Sequence, residues 1–254
     1  MNKRKQILDA LDKNVRFDGR KKDEYRKIEV IKGVSATAEG SATVKIGDTE
    51  VMVGVKLGIG TPYPDSPDSG NLIVSAEFLP LASPEYEPGP PDIDAIELAR
   101  VVDRGIREAK AIDVKKLCIE KGEKIWEVSV DICTINTAGN LFDAATLATL
   151  AALMDTKFPK YENDEIDYKV KTDQRLPLEI LPVAITVIKI GNHFLVDPLP
   201  EEEEVLDARL TVTLTEDGSV CALQKGGDQP LTVEQIDEMI GIALEKSKEF
   251  RKLL

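Results

Sequence analysis

Six carboxylates crowd into eleven positions of this chain: Asp197, Glu201, Glu202, Glu203, Glu204 and Asp207. Oxygen donors at that density could hold Mg²⁺ beside a phosphate, because a hard divalent cation prefers oxygen ligands. The same density also describes a solvated acidic loop, and the run taken alone favours that simpler reading. A second feature is basic. Arg100, Arg104 and Arg107, at 100° per residue, share one face of a helix, opposite Leu98, Val102 and Ala109. Three guanidiniums on one stripe could grip successive phosphates, which suit their fork geometry. Glu97, Asp103 and Glu108 stand three or four residues from these arginines, so the stripe is equally consistent with a salt-bridged surface helix.

Other chemistry-bearing residues lead less far. His193 is the only histidine, which excludes a multi-histidine metal site. No serine or cysteine stands in a nucleophile-elbow context to use it, so it reads as an ordinary residue at a turn edge. Gly54, Gly58 and Gly60 precede a proline-rich loop instead of a helix, so no helix N-terminus is offered to a pyrophosphate. Lys225-Gly226-Gly227 could form an anion nest but lacks phosphate-loop spacing; a strand-to-helix loop is the simpler reading. Cys118, Cys133 and Cys221 are far apart and contain no CxxC pair, which fits a reduced cytoplasmic protein with neither metal nor cofactor.

The elements that must position these residues alternate between two periods. Asn2–Lys13 has helical spacing, and Asp18-Gly19 breaks it. From Tyr25 to Leu57 the period falls to two, with a hairpin turn at Gly47-Asp48. Another strand is predicted over 71–78, and the five prolines of 79–91 exclude regular structure there. A helix follows over about 92–112, its Leu98, Val101, Val102, Gly105, Ala109 and Ile112 forming one apolar stripe. Gly105 within it predicts a close approach to a strand. Strands at 117–119 and 125–135 lead to a small-residue helix over 142–156, whose composition predicts tight packing. Lys157–Arg175 is polar and lacks periodicity. Beyond it come hairpins turning at Gly191-Asn192 and Asp217-Gly218, then a helix over 232–253. The pattern predicts an α+β fold of two βα-rich lobes: an N-terminal helix and arm (1–24), a first lobe (25–160), a linker (161–181) and a second lobe (182–254).

The net charge of −13 argues against coating nucleic acid by overall attraction, though not against a local basic stripe. No run approaches the roughly 20 apolar residues a membrane span requires, so no membrane partner is expected.

Several stretches together carry a resemblance. Arg16-Phe17-Asp18-Gly19-Arg20 with Tyr25-Arg26, then Ala95–Arg104, Asp197–Glu204, Leu206–Arg209 and Gln224–Gly227 resemble RNase PH-like proteins. Their order and spacing are most similar to the non-catalytic ring subunit of the archaeal exosome. The resemblance runs nearly end to end. It implies an RNase PH-like fold and a hexameric ring, a trimer of heterodimers in which this chain alternates with a catalytic subunit and carries RNA-binding cap subunits. Single-stranded RNA would be degraded there from its 3′ end by phosphate. Catalytic relatives bear two adjacent arginines near the start of the first long helix; the matching positions here hold Ile93 and Asp94, which cannot bind phosphate. Their two catalytic aspartates, six residues apart, correspond to Asp197 and Glu203, a partly retained acidic site. The resemblance therefore implies a chain without catalysis of its own that structures its partner's site. Arg100, Arg104 and Arg107 are its RNA-contact candidates, Arg100 and Arg104 foremost. An active exoribonuclease using Asp197 and Glu203, and a pure scaffold, are the alternatives.

Overall fold

The structure is a computed structural model that describes residues 3–254. It opens with helix α1 (Lys3–Leu11), an arm, and strands β1 (Ile28–Lys32), β2 (Gly40–Ile46), β3 (Thr49–Gly60) and β4 (Asn71–Phe78). Asn2, placed by periodicity at the start of the first helix, lies outside the described residues. After the proline-rich loop, helix α2 (Ile93–Glu108) leads through a 3₁₀ turn to β5 (Cys118–Glu120), β6 (Lys124–Asn136) and helix α3 (Leu141–Asp155). These strands make one six-stranded sheet in the order β1-β2-β3-β6-β4, with β5 beside β6. Only β4 and β6 pair in parallel.

Strands β7 (Lys157–Glu162) and β8 (Glu165–Arg175) form a hairpin of their own. The stretch read as polar and without periodicity thus holds regular structure. Its pattern fails to alternate because β8 is exposed along most of both faces, so no core imposed a period of two. The second lobe comprises β9 (Val183–Ile190), β10 (His193–Val196), the short helix α4 (Pro200–Glu203), β11 (Ala208–Leu214), β12 (Val220–Gly226) and helix α5 (Val233–Arg251). Its sheet runs β10-β9-β11-β12, antiparallel throughout. Gly226, expected in a loop, ends β12 instead.

Helix α3 lies between the two sheets and packs on β2 and β3 on one side and β9 on the other. It is therefore buried all round, from Asp143 through Leu153, and only a small-residue helix can be approached from so many directions. One main core joins both lobes, running from Val44 and Val53 through Leu147 and Leu150 to Val187 and Met239. Helix α2 reaches β12 as well as β4. Gly105 makes that approach possible: a Cβ there would stand 3.2 Å from Cγ2 of Thr213 on β11. Among the described residues no helix is long and apolar enough to cross a membrane.

Candidate nucleic-acid interface

The acidic run is partly built into the fold: Asp197 and Glu202 are buried, whereas Glu201, Glu203 and Glu204 are exposed. Asp197 follows β10 in the left-handed region, φ +47°, and its side chain is fully buried. Such a carboxylate is tolerable only if paired, and it is. Arg20 Nη1 donates to Oδ2 at 2.6 Å. Arg26 donates from Nη2 to Oδ1 at 2.7 Å and from Nε and its backbone N–H to Oδ2 at 2.9 and 2.8 Å. Asn140 Nδ2 adds 3.0 Å to Oδ1. Glu202 is likewise buried, held by Arg16 through Nε at 3.0 Å and Nη2 at 2.6 Å. Arg16 also donates to the carbonyls of Val196 and Asp197 at 3.0 and 2.7 Å. Asp207 accepts from Arg4 at 2.8 Å and from the Gly191 N–H at 2.6 Å. The expectation of a solvated loop thus fails for Asp197 and Glu202, whose charges are consumed by the arm. Among the described residues no group of three or more His, Cys, Asp or Glu side chains is arranged to hold a metal ion.

Glu203 caps the start of α3, its Oε1 accepting from the Asn140 N–H at 2.8 Å. Protein crowded around this carboxyl pushes its pKa up to about 7, against the pull of that N–H, Arg209 and Arg26. Nearby Asp143, fully buried, is also pushed up to about 7 by burial, although Tyr25, Thr186 and Asn140 all donate to it. Asn140 Oδ1 and Arg209 Nε are buried without a partner.

The basic stripe divides. Helix α2 is capped by Asp92, whose Oδ1 accepts from Ala95 N at 2.8 Å; Asp94 sits in its first turn, where a negative charge favours the helix dipole. Ile93 is 81% exposed. Arg100 is exposed, and it lines a cavity of about 330 Å³ with Ile93, Ile96, Glu97, Arg104 and Gln224. Arg104 donates to Gln224 Oε1. Arg107 turns elsewhere: it pairs with Asp103 at 2.7 Å, donates to the Leu72 carbonyl at 3.1 Å, and lines a separate cavity of about 940 Å³ with Lys110. The salt-bridged reading of the stripe therefore holds for Arg107, while Arg100 and Arg104 share one groove.

His193 bridges Lys22 Nζ, 3.0 Å from Nδ1, and Asp12 Oδ1, 2.8 Å from Nε2. It tethers the arm, as a residue at a turn edge can. Gly54, Gly58 and Gly60 lie within β3. Lys225 Nζ donates to the Gly227 carbonyl. The structural roles of Arg20, Arg26, Asn140, Arg209 and Gln224 were not legible beforehand, because each depends on a partner far away in sequence.

The family model described as 3′ exoribonuclease family, domain 1, matches residues 24–159, and its domain 2 matches 181–246. The exosome complex component Rrp42 of Archaeoglobus fulgidus is 50% identical over 250 residues, covering 98% of this chain and 95% of that one. The component of the same name from Methanopyrus kandleri is 48% identical over 254 residues, covering 98% and 94%. A chain of the solved Archaeoglobus fulgidus exosome with RNA bound to the active site superposes with a TM-score of 0.91 at 50% identity, covering 98% of this chain and 96% of that one.

Proposed function

This chain belongs to the 3′ exoribonuclease (RNase PH) family, and from that membership we propose that it is a non-catalytic subunit of an archaeal exosome ring. In this reading it alternates with a catalytic RNase PH-like subunit in a trimer of heterodimers, beneath RNA-binding cap subunits, in the cytoplasm. It completes the partner's active site and holds single-stranded RNA through Arg100 and Arg104, with Arg107, already engaged by Asp103, contributing less. The names and RNA-bound assembly of its relatives support the setting.

The observation that carries the absence of catalysis is the state of the acidic pair. Phosphorolysis requires a positioned phosphate and compensation of charge as the bond breaks. Both Asp197 oxygens are taken by Arg20, Arg26 and Asn140, and Glu203 is turned to the N-terminus of α3. The two positions that the resemblance matches to the arginine pair of catalytic family members hold Ile93 and Asp94.

The test is phosphate-dependent release of nucleoside diphosphates from single-stranded RNA. The purified chain alone should be silent, and adding the catalytic partner should give more activity than the partner shows by itself. Nucleoside diphosphates from the isolated chain would overturn the reading.

A further inference from the structure

Resting on the reading of Arg104 as an RNA contact, we propose that Gln224 is a positioning residue that holds the Arg104 guanidinium in the groove while leaving its charge unspent. Four side chains link in series. Arg104 Nη2 donates to Gln224 Oε1. Gln224 Nε2 donates to Glu97 Oε1 at 2.9 Å. The same Glu97 oxygen accepts from Arg209 Nη2 at 2.7 Å. Arg209 in turn lies 4.0 Å over the Phe142 ring.

Donor and acceptor chemistry admits one arrangement of this series. A carboxylate only accepts and a guanidinium only donates, so the amide between them must turn its NH₂ to Glu97 and its oxygen to Arg104. The Glu97 charge is answered chiefly by Arg209; the hydrogen bonds from Gln224 and Arg209, with Arg209's charge and a further electrostatic pull from Arg104, hold its carboxyl below the usual carboxylate range against burial. Arg104 receives only a neutral oxygen. The contrast lies one turn away on the same helix, where Asp103 engages Arg107 as an ion pair. A phosphate meeting Arg107 must displace a bonded carboxylate, whereas one meeting Arg104 displaces only a neutral amide oxygen and feels the Glu97 charge from farther off.

The seats of the series are specific. Arg209 and Gly226 are paired across β11 and β12, and a Cβ on Gly226 would stand 2.6 Å from Arg209 Nη2. Thr211 pairs with Gln224 in the same register, which sets Gln224 and Arg209 on one face of the sheet, two pairs apart. That is the face Gly105 meets through Thr213, so the α2 contact also sets where Glu97 and Arg104 arrive.

The experiment measures single-stranded RNA affinity of the complex with the catalytic partner across a range of salt, for Arg104→Ala, Gln224→Met and Gln224→Glu, with assembly checked by gel filtration. Gln224→Met keeps size and neutrality but accepts no strong hydrogen bond. It should weaken binding about fivefold, the worth of one such bond, with the salt slope unchanged. Gln224→Glu, made together with Glu97→Gln so that no second carboxylate faces it, places a carboxylate on Arg104. It should weaken binding and make the slope shallower by about 0.7, the share of one single-strand phosphate contact, as Arg104→Ala should. Wild-type binding by both Gln224 variants, with Arg104→Ala weakened, would overturn the positioning role and leave the RNA contact standing. Equal losses in both with unchanged slopes would reduce Gln224 to local support and overturn the charge-sparing role. Unchanged affinity in Arg104→Ala would remove the RNA contact and this inference together.

Discussion

Arg16 shows what one residue can be asked to do. Its guanidinium is wholly buried, forks onto Glu202, and donates to two carbonyls beside Asp197. Removing one member of such a pair strands the other charge in the interior. Arg16→Ala should therefore cost about 3–5 kcal/mol in denaturant unfolding. Arg16→Met combined with Glu202→Leu should recover much of that loss. A double variant as unstable as the single one would show that the arginine's carbonyl contacts, and not the ion pair, dominate. Asp143 makes a different prediction. Burial raises its pKa from 3.8 to about 7, so the folded chain binds its proton more tightly than the unfolded chain does. The stability it contributes is complete below about pH 4 and is lost as pH rises through about 7. Asp143→Asn lacks this titration. Its melting temperature relative to wild type should climb between those limits and then level off, following a free-energy change of up to about 4 kcal/mol. A difference that stays flat with pH would show that Asp143 is not protonated in the folded chain.

At the scale of elements, helix α2 is the part whose placement matters most. Its apolar stripe and the need for a close approach at Gly105 were readable from spacing, but its end was not: the helix stops at Glu108, and Ile112, expected on the stripe, instead bridges Leu178. Thr213 supplies the surface approached. Gly105→Ala should be nearly neutral, since a threonine side chain has only to yield a few tenths of an ångström and alanine favours the helix. Gly105→Val should cost about 1–3 kcal/mol by overpacking, read as a lower melting temperature. Equal stability in the two variants would mean that α2 does not rest on Thr213. The hairpin β7–β8 was not readable, because periodicity records burial on one face and β8 has little. The division of the basic stripe was not readable either. Arg100, Arg104 and Arg107 share one helix face, and although the Asp103–Arg107 pair could be anticipated from its spacing, the contacts to Leu72 and Gln224, on strands distant in sequence, could not.

For the whole molecule, the proposed function requires a net charge of −13 to coexist with binding to a polyanion, and local concentration of cations would resolve the conflict. In the proposed ring, Arg100→Ala and Arg104→Ala should each weaken single-stranded RNA binding and make its salt slope shallower by about 0.7. Arg107→Ala should change both less, because Asp103 already answers that charge. Equal losses for all three would show that the ion pair opens when RNA arrives.

The sequence by itself determined the α+β class, the strand and helix periods, the motifs of the family, and the absence of arginines at positions 93 and 94. These follow from local patterning and residue identity, which need no knowledge of distant neighbours. The tertiary structure decided how charge is spent. It gave Asp197 and Glu202 to the arm's arginines, Glu203 to the start of α3, and Arg104 to a neutral amide. A charged side chain acts according to what lies within a few ångströms of it, and for most of these residues that neighbour is more than a hundred positions away in the chain.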